Sequence, residues 1–193
     1  LCDLEPGDWV IQSAANSAVG GYLVQLAKER GFNMVNVVRR ESAIEGLKEL
    51  GADIVLVDGP DLVRDVKAAA GAKMKLAVDA VAGDTFGRLG ACLETGGTLV
   101  NYGGMSNQPC SMEASALIFS NIHVRGFWLV NWFERSDSAM RKEVYGALTK
   151  SIATGTLYAP IDKHFTLDEV AEAAKYSWAG ERKGKVMLAP NGI

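Results

Sequence analysis

Short apolar runs alternate with longer amphipathic ones along this chain, and the alternation predicts strands and helices in turn. Trp9-Val10-Ile11 follows the turn Pro6-Gly7-Asp8 and is too short and apolar for anything but a buried strand. Val19, Leu23, Leu26 and Ala27 then recur at helical spacing until Gly31 ends the helix. Met34 to Val38 reads as a second strand. Ser42 to Glu45 has the form of a capping box, ahead of a helix whose buried stripe is Ala43, Leu47 and Leu50 and whose stop is Gly51. Asp53 to Val57 predicts a third strand, Leu62 to Ala70 a third helix, Leu76 to Asp79 a fourth strand and Asp84 to Cys92 a fourth helix. Gly96-Gly97 leads into a fifth strand from Thr98 to Tyr102, and Ile122 to Phe127 predicts a sixth.

Strands and helices at this spacing require right-handed crossovers and a parallel sheet with helices on both faces. The fold class expected is therefore α/β, a doubly wound (Rossmann) sheet. The tail departs from the alternation. Ala139 to Thr154 is an amphipathic helix with Met140, Val144, Leu148 and Ile152 on one stripe. Thr166 to Glu169 caps a further helix, and Gly184 to Leu188 predicts a short last strand.

Composition narrows the function classes without choosing one. A length of 193 residues suits one well-buried domain with an appendage, and 48% hydrophobic against 22% charged residues is ordinary for a globular protein. Twenty Lys and Arg against 23 Asp and Glu leave a net charge of −3, which gives no reason to expect nucleic acid or an anionic membrane as partner. The positive charge that matters is local. Cys2, Cys92 and Cys110 are odd in number and far apart, which points to free thiols in a reducing compartment and to no zinc cluster. No apolar run approaches the ~20 residues of a transmembrane helix. Leu1 is not a methionine, and Leu4 to Asp8 reads as a link between elements, so the chain is expected to be a piece of a longer protein.

The chemistry concentrates at the ends of strands. Val10 to Gly20 reads as a strand entering a helix through a tight turn of small residues, with Ala15, Ser17 and Gly20 at the glycine positions of a G-x-G-x-x-G fingerprint. The free amides at a helix start favour an anion, and Ser17 adds a hydroxyl donor. About twenty residues on, Arg39 and Arg40 stand where an NAD-specific protein carries an acid for the ribose 2′-hydroxyl. An arginine there pairs with a 2′-phosphate, which makes the expected cofactor NADP(H). Glu41 follows at once and repels a phosphate unless it points away. Tyr102-Gly103-Gly104-Met105 closes the fifth strand, where two glycines let the backbone approach a flat ring; a plain glycine turn reads equally well. Phe127-Trp128-Leu129 closes the sixth strand and lines the same crevice, or belongs to the core, as aromatic residues there more often do. Lys185 either reaches a phosphate or is solvated, and His123 and His164 are isolated from any acid or thiol partner.

The order of these motifs resembles the medium-chain dehydrogenase/reductase superfamily in its zinc-free, quinone-oxidoreductase-like branch. Asn16-Ser17-Ala18-Val19-Gly20, Asn36-Val37-Val38-Arg39, Tyr102 to Met105 and Arg125-Gly126-Phe127-Trp128-Leu129 are similar to mitochondrial trans-2-enoyl thioester reductases, over Leu4 to about Leu188. The resemblance implies a protein that uses NADPH to saturate the C2=C3 double bond of 2-enoyl-CoA or 2-enoyl-ACP in mitochondrial fatty acid synthesis. It implies pyrophosphate contacts from Asn16, Ser17, Ala18 and Val19, and 2′-phosphate contacts from Arg39 and Arg40. It places Tyr102, Gly103, Gly104 and Met105 on the nicotinamide side, with Phe127, Trp128, Leu129 and Lys185 near the cofactor. Two positions depart from the family: Ala18 replaces its usual glycine, and Glu41 stands where it can carry a further base.

The resemblance also implies a division of the parent protein. Residues 1–155 are expected to form the NADP-binding domain, and 156–193 a segment returning to a preceding GroES-like domain. That domain supplies the catalytic tyrosine, so no catalytic residue is expected in this chain, and the chain alone binds NADPH weakly at best. A homodimer through the edge strand near Ile122 to Trp132, and the mitochondrial matrix, follow from the same resemblance; without it the expectation is the cytoplasm. The alternatives are a quinone or alkenal reductase on the same scaffold and a non-catalytic dinucleotide-binding module.

Overall fold

The computed structural model describes residues 2–179, 182 and 184–192. Strands β1 (Trp9–Gln12), β2 (Asn33–Val38), β3 (Ile54–Val57), β4 (Met74–Asp79), β5 (Leu93–Asn101) and β6 (His123–Gly126) form one sheet in the order β3-β2-β1-β4-β5-β6. Every neighbouring pair is parallel. This is the doubly wound order that the alternation predicts. Its winding reverses between β1 and β4, the switch point at whose carboxyl edge open sheets of this kind bind ligands.

Helices α1 (Ala18–Arg30) and α2 (Ile44–Glu49) cover one face of the sheet, and α3 (Leu62–Ala70) and α4 (Gly83–Ala91) the other. Two apolar clusters fill the layers. Val35 and Val37 of β2 join Ile11, Leu62, Val66, Phe86, Leu89 and Leu99 on the α3/α4 face. Val38 joins Ala15, Val24, Leu47 and Ala52 on the other. β2 is buried on both faces from Val35 to Val38, and its one buried polar residue, Asn36, accepts from the Gln12 side-chain amide at 2.7 Å and donates to the Ile54 carbonyl at 3.1 Å.

The boundaries of α3 match the sequence reading, and several others move. The chain after β2 enters a 3₁₀ turn over Glu41–Ala43 with Arg40 as its N-cap, and no side-chain cap bond forms there. The capping box expected at Ser42 and Glu45 is therefore absent: the turn starts two residues too early for Ser42 to cap it. The box at Thr166 and Glu169 does form. β5 begins at Leu93, ahead of the paired glycines, because Gly96 (φ 79°) lets it bulge against β4. β6 stops at Gly126, and α6 (Leu129–Arg135) starts three residues later, so Phe127 to Leu129 make a strand-to-helix turn.

Helix α5 (Ala114–Phe119), α6 and strand β7 (Ile161–Phe165) carry no clear signal in the sequence reading. Strand β7 pairs with β8 (Lys185–Leu188) in a separate parallel sheet, beside α8 (Val170–Ala179). The long helix α7 (Ser138–Ala153) buries none of its residues. Its stripe stays open, from Leu148 at 36% to Ile152 at 57% exposed. The chain beyond α7 is tied back to α1: the Gln25 side chain donates to the Tyr158 carbonyl at 2.9 Å and accepts from its amide at 2.8 Å.

Candidate cofactor site

The turn from β1 to α1 is built on alanine strain and one glycine contact. Ala14 takes a left-handed backbone (φ 48°), which brings the Ser17 amide onto the Ala14 carbonyl at 2.9 Å. Such a conformation is costly for a side-chain-bearing residue and gathers at functional sites. Ser17 then caps α1, its oxygen accepting from the Gly20 amide at 3.0 Å. A Cβ on Gly20 would stand 2.6 Å from the Ala15 carbonyl carbon and closer still to its oxygen, so the helix approaches the turn as only glycine permits. The first amides of a helix have no acceptor within it, and the first turn of α1 carries no acid. An anion fits there.

A buried carboxylate holds this turn to its neighbours. Asp79 ends β4 and is fully buried. Its Oδ1 accepts from the Ser13 hydroxyl at 2.6 Å and the Val81 amide at 2.9 Å. Its Oδ2 accepts from the Ala82 amide and the Asn101 side-chain amide, both at 2.9 Å. Asn101 also donates to the Gly103 carbonyl at 2.9 Å, and Ser13 Oγ accepts from the Ala80 amide at 2.9 Å. The loops after β1, β4 and β5 thus converge on one side chain. Ala82 (φ 65°) is the second strained alanine at this edge. The sequence reading missed Ser13, Asp79 and Asn101; the available signal was a polar residue closing, or just following, each of three apolar strands.

The nicotinamide side as expected from sequence lies against this network. Tyr102 donates its amide to Asp79 O at 2.9 Å, and Met105 its amide to Ala80 O at 3.0 Å. A Cβ on Gly103 would stand 2.8 Å from that same Ala80 oxygen. Burial first, and the Asp79 charge second, hold the Tyr102 phenol above its ordinary range, with Ser17 opposing them. Burial and Asp79 raise the Cys110 thiol likewise. An open crevice of about 410 Å³ is lined by Asn101, Tyr102, Gly103, Gly126, Phe127, Trp128 and Asn131. Phe127 and Trp128 therefore share a wall with Tyr102 and are no part of the core, Trp128 being 63% exposed.

Arg39 and Arg40 follow β2 directly and are exposed, with Glu41 exposed in the next turn. Asn16 and Val19 are exposed and Ala18 half-buried at the start of α1. Gly104 and Met105 are exposed beyond the crevice, and Leu129 opens α6. Lys185 stands elsewhere, on β8, where its amide donates to Pro160 O at 2.7 Å. Among the described residues no group of three or more His, Cys, Asp or Glu gathers where it could hold a metal ion. A dinucleotide fits the donor set: unpaired helix amides, a glycine contact, and arginines after β2.

Comparison with known proteins gives three findings. The family profile described as zinc-binding dehydrogenase matches residues 18–145. The mitochondrial enoyl-[acyl-carrier-protein] reductase of Dictyostelium discoideum is 41% identical over 83% of this chain, and that of Rattus norvegicus 36% identical over 90%. The solved complex of Etr1p with NADP and crotonyl-CoA superposes on 98% of this chain with a TM-score of 0.83 and 26% identity. The chain spans about half the length of these relatives, 48% of both curated proteins and 56% of the solved one.

Proposed function

The chain belongs to the zinc-binding dehydrogenase family, and from that premise we propose that it holds NADPH in a protein that reduces the C2=C3 double bond of 2-enoyl thioesters. The observation that carries this reading is the identity of 41% to a relative named as a mitochondrial enoyl-[acyl-carrier-protein] reductase. Support comes from the solved neighbour at 26% identity, which holds NADP and crotonyl-CoA, itself a 2-enoyl thioester. NADPH, when bound, supplies a hydride.

The chain's own residues bind and orient. Asn16, Ser17, Ala18 and Val19 present the α1 amides to the pyrophosphate, and Arg39 and Arg40 take the 2′-phosphate. Tyr102 to Met105 and Phe127 to Leu129 wall the nicotinamide crevice, holding the ring in one pose for reaction. Lys185 completes the cofactor contacts once 156–193 sits against the rest of the parent protein. The donor for the thioester oxygen lies in that other part, since the side chains at this edge are committed to the cofactor. The open stripe of α7 supports such a partner half. The exposed edge strand β6, with Val124 at 47% and nearby Phe119 at 80% exposure, supports a homodimer through that edge. The names of the curated relatives support a mitochondrial protein.

Titration of the chain with NADPH and NADH tests the reading, with reduction of crotonyl thioester measured on the parent protein. NADPH should bind tighter, and Arg39→Asp should reverse the preference. Equal binding of both cofactors, unchanged by that substitution, contradicts the proposal.

A further inference from the structure

The acid that follows β3 stands beside the arginine that follows β2. The Asp58 amide donates to the Val38 carbonyl at 2.8 Å. The strands pair Val37 with Leu56 and Val38 with Val57, where both end, and one further step in the same register would set Arg39 opposite Asp58. Both fall on one face. Val35 and Val37, like Ile54 and Leu56, pack on the α3/α4 cluster, and the period-two alternation carries Arg39 and Asp58 to that side. With nothing else present, the Asp58 carboxylate is the obvious partner for Arg39.

Asp58 is taken from the other side. Arg88 of α4 donates Nε to Oδ1 at 2.8 Å and Nη2 to Oδ2 at 2.9 Å, and the Thr85 hydroxyl donates to Oδ2 as well. The two ionic side chains are only 25% and 18% exposed. A half-buried planar fork is held far better than a single exposed contact, so Arg88 wins the carboxylate. Arg39 is exposed and forms no ion pair or side-chain hydrogen bond among the described residues.

We propose that Arg88 is a positioning residue that sets cofactor specificity: by occupying both oxygens of Asp58, it keeps Arg39 open to the 2′-phosphate and so secures the preference for NADPH over NADH. The inference rests on the proposed NADPH role of this edge. Without Arg88 the Asp58 carboxylate acts twice against the phosphate, pairing with Arg39 and repelling a dianion directly. NADH has no such group, and its binding is indifferent to both effects.

Fluorescence titration of the full chain with NADPH and with NADH tests this on Arg88→Met, on Arg88→Lys and on the double variant Arg88→Met with Asp58→Asn. Arg88→Met should weaken NADPH about tenfold, the size of one lost charge-assisted contact, and move NADH by less than about twofold. Arg88→Lys keeps the charge without the fork and should fall between, which keeps the test alive if Arg88→Met does not fold. The double variant should bind NADPH within about twofold of the unmodified chain. Equal weakening of both cofactors without recovery in the double variant gives Arg88 a merely structural role and overturns the inference. An unmodified chain with no preference for NADPH overturns the proposed function instead, so the two failures are told apart by the first titration.

Discussion

Replacing Asp79 by asparagine changes one oxygen to an NH₂ group, and the structure fixes what that does. With NH₂ in the Oδ2 place, it faces the Ala82 amide and the Asn101 side-chain amide, both donors. Asn101 can turn its oxygen inward, but its bond to the Gly103 carbonyl is then lost. With NH₂ in the Oδ1 place, it faces the Val81 amide and a Ser13 hydroxyl whose oxygen already accepts from Ala80. Either way one buried backbone donor is orphaned and a second bond is weakened. A hydrogen bond to a charged group is worth about 1.5–3 kcal/mol and an orphaned buried donor costs about 1–3, so the loss should be about 3–5 kcal/mol. For a chain of this size each kcal/mol lowers Tm by about 2–4 °C, giving a fall of roughly 10 °C. Urea titration at constant m gives the free energy, and NADPH titration of the same sample reports the three loops, with binding expected to fall more than about tenfold. A loss under about 1 kcal/mol with NADPH affinity intact would refute the idea that this carboxylate holds the edge together.

Three further outcomes follow from the same structure. Gly20→Ala should gain about 1 kcal/mol of helix propensity but lose about 1–3 kcal/mol to the clash with a backbone carbonyl that cannot yield, so melting should show only a small net drop while NADPH binding collapses as α1 is displaced. Burial pushes the Cys92 thiol up from 9.0 to about 11. Between those values the unfolded chain holds fewer protons than the folded one, so stability present below pH 9 should decline by about 2–3 kcal/mol by pH 11, a decline absent from Cys92→Ala in parallel urea titrations. If the proposed homodimer forms through β6, Val124→Lys, placing a charge on that exposed edge strand, should convert it to a monomer in sedimentation, and a mass equal to that of the unmodified chain contradicts the edge interface.

The sheet was legible because its inner strands are short, largely apolar runs and its helices are periodic; α3 has the bounds its spacing predicts. Helices α5 and α6 were not, for α5 has only six residues and neither buries a side chain, so no one-sided apolar stripe marks them. At the site, Gly20 was readable because its role is local, a contact five residues back. Asp79 and Asp58 were not. Their partners lie 66 positions away at Ser13 and 30 away at Arg88, brought close by the pairing of β1 with β4 and by the packing of α4 on the sheet.

The two acids bear on how charge should be read at such an edge. A carboxylate at the carboxyl end of a sheet strand counts, on sequence alone, against an anionic ligand. Here Asp79 is ringed by donors and Asp58 is forked by an arginine, so neither presents a free oxygen to a phosphate. Under the proposed NADPH role, the potential a phosphate would meet is then set by Arg39, Arg40 and the α1 amides, although the chain as a whole is net negative. Glu41, which follows Arg40 directly, and Glu45 are the other acids close in sequence to the arginines, and both are exposed, which leaves them screened by solvent. What distinguishes a phosphate site from a neutral loop at this edge is therefore which carboxylates already have partners, a property of the fold that residue counts do not contain.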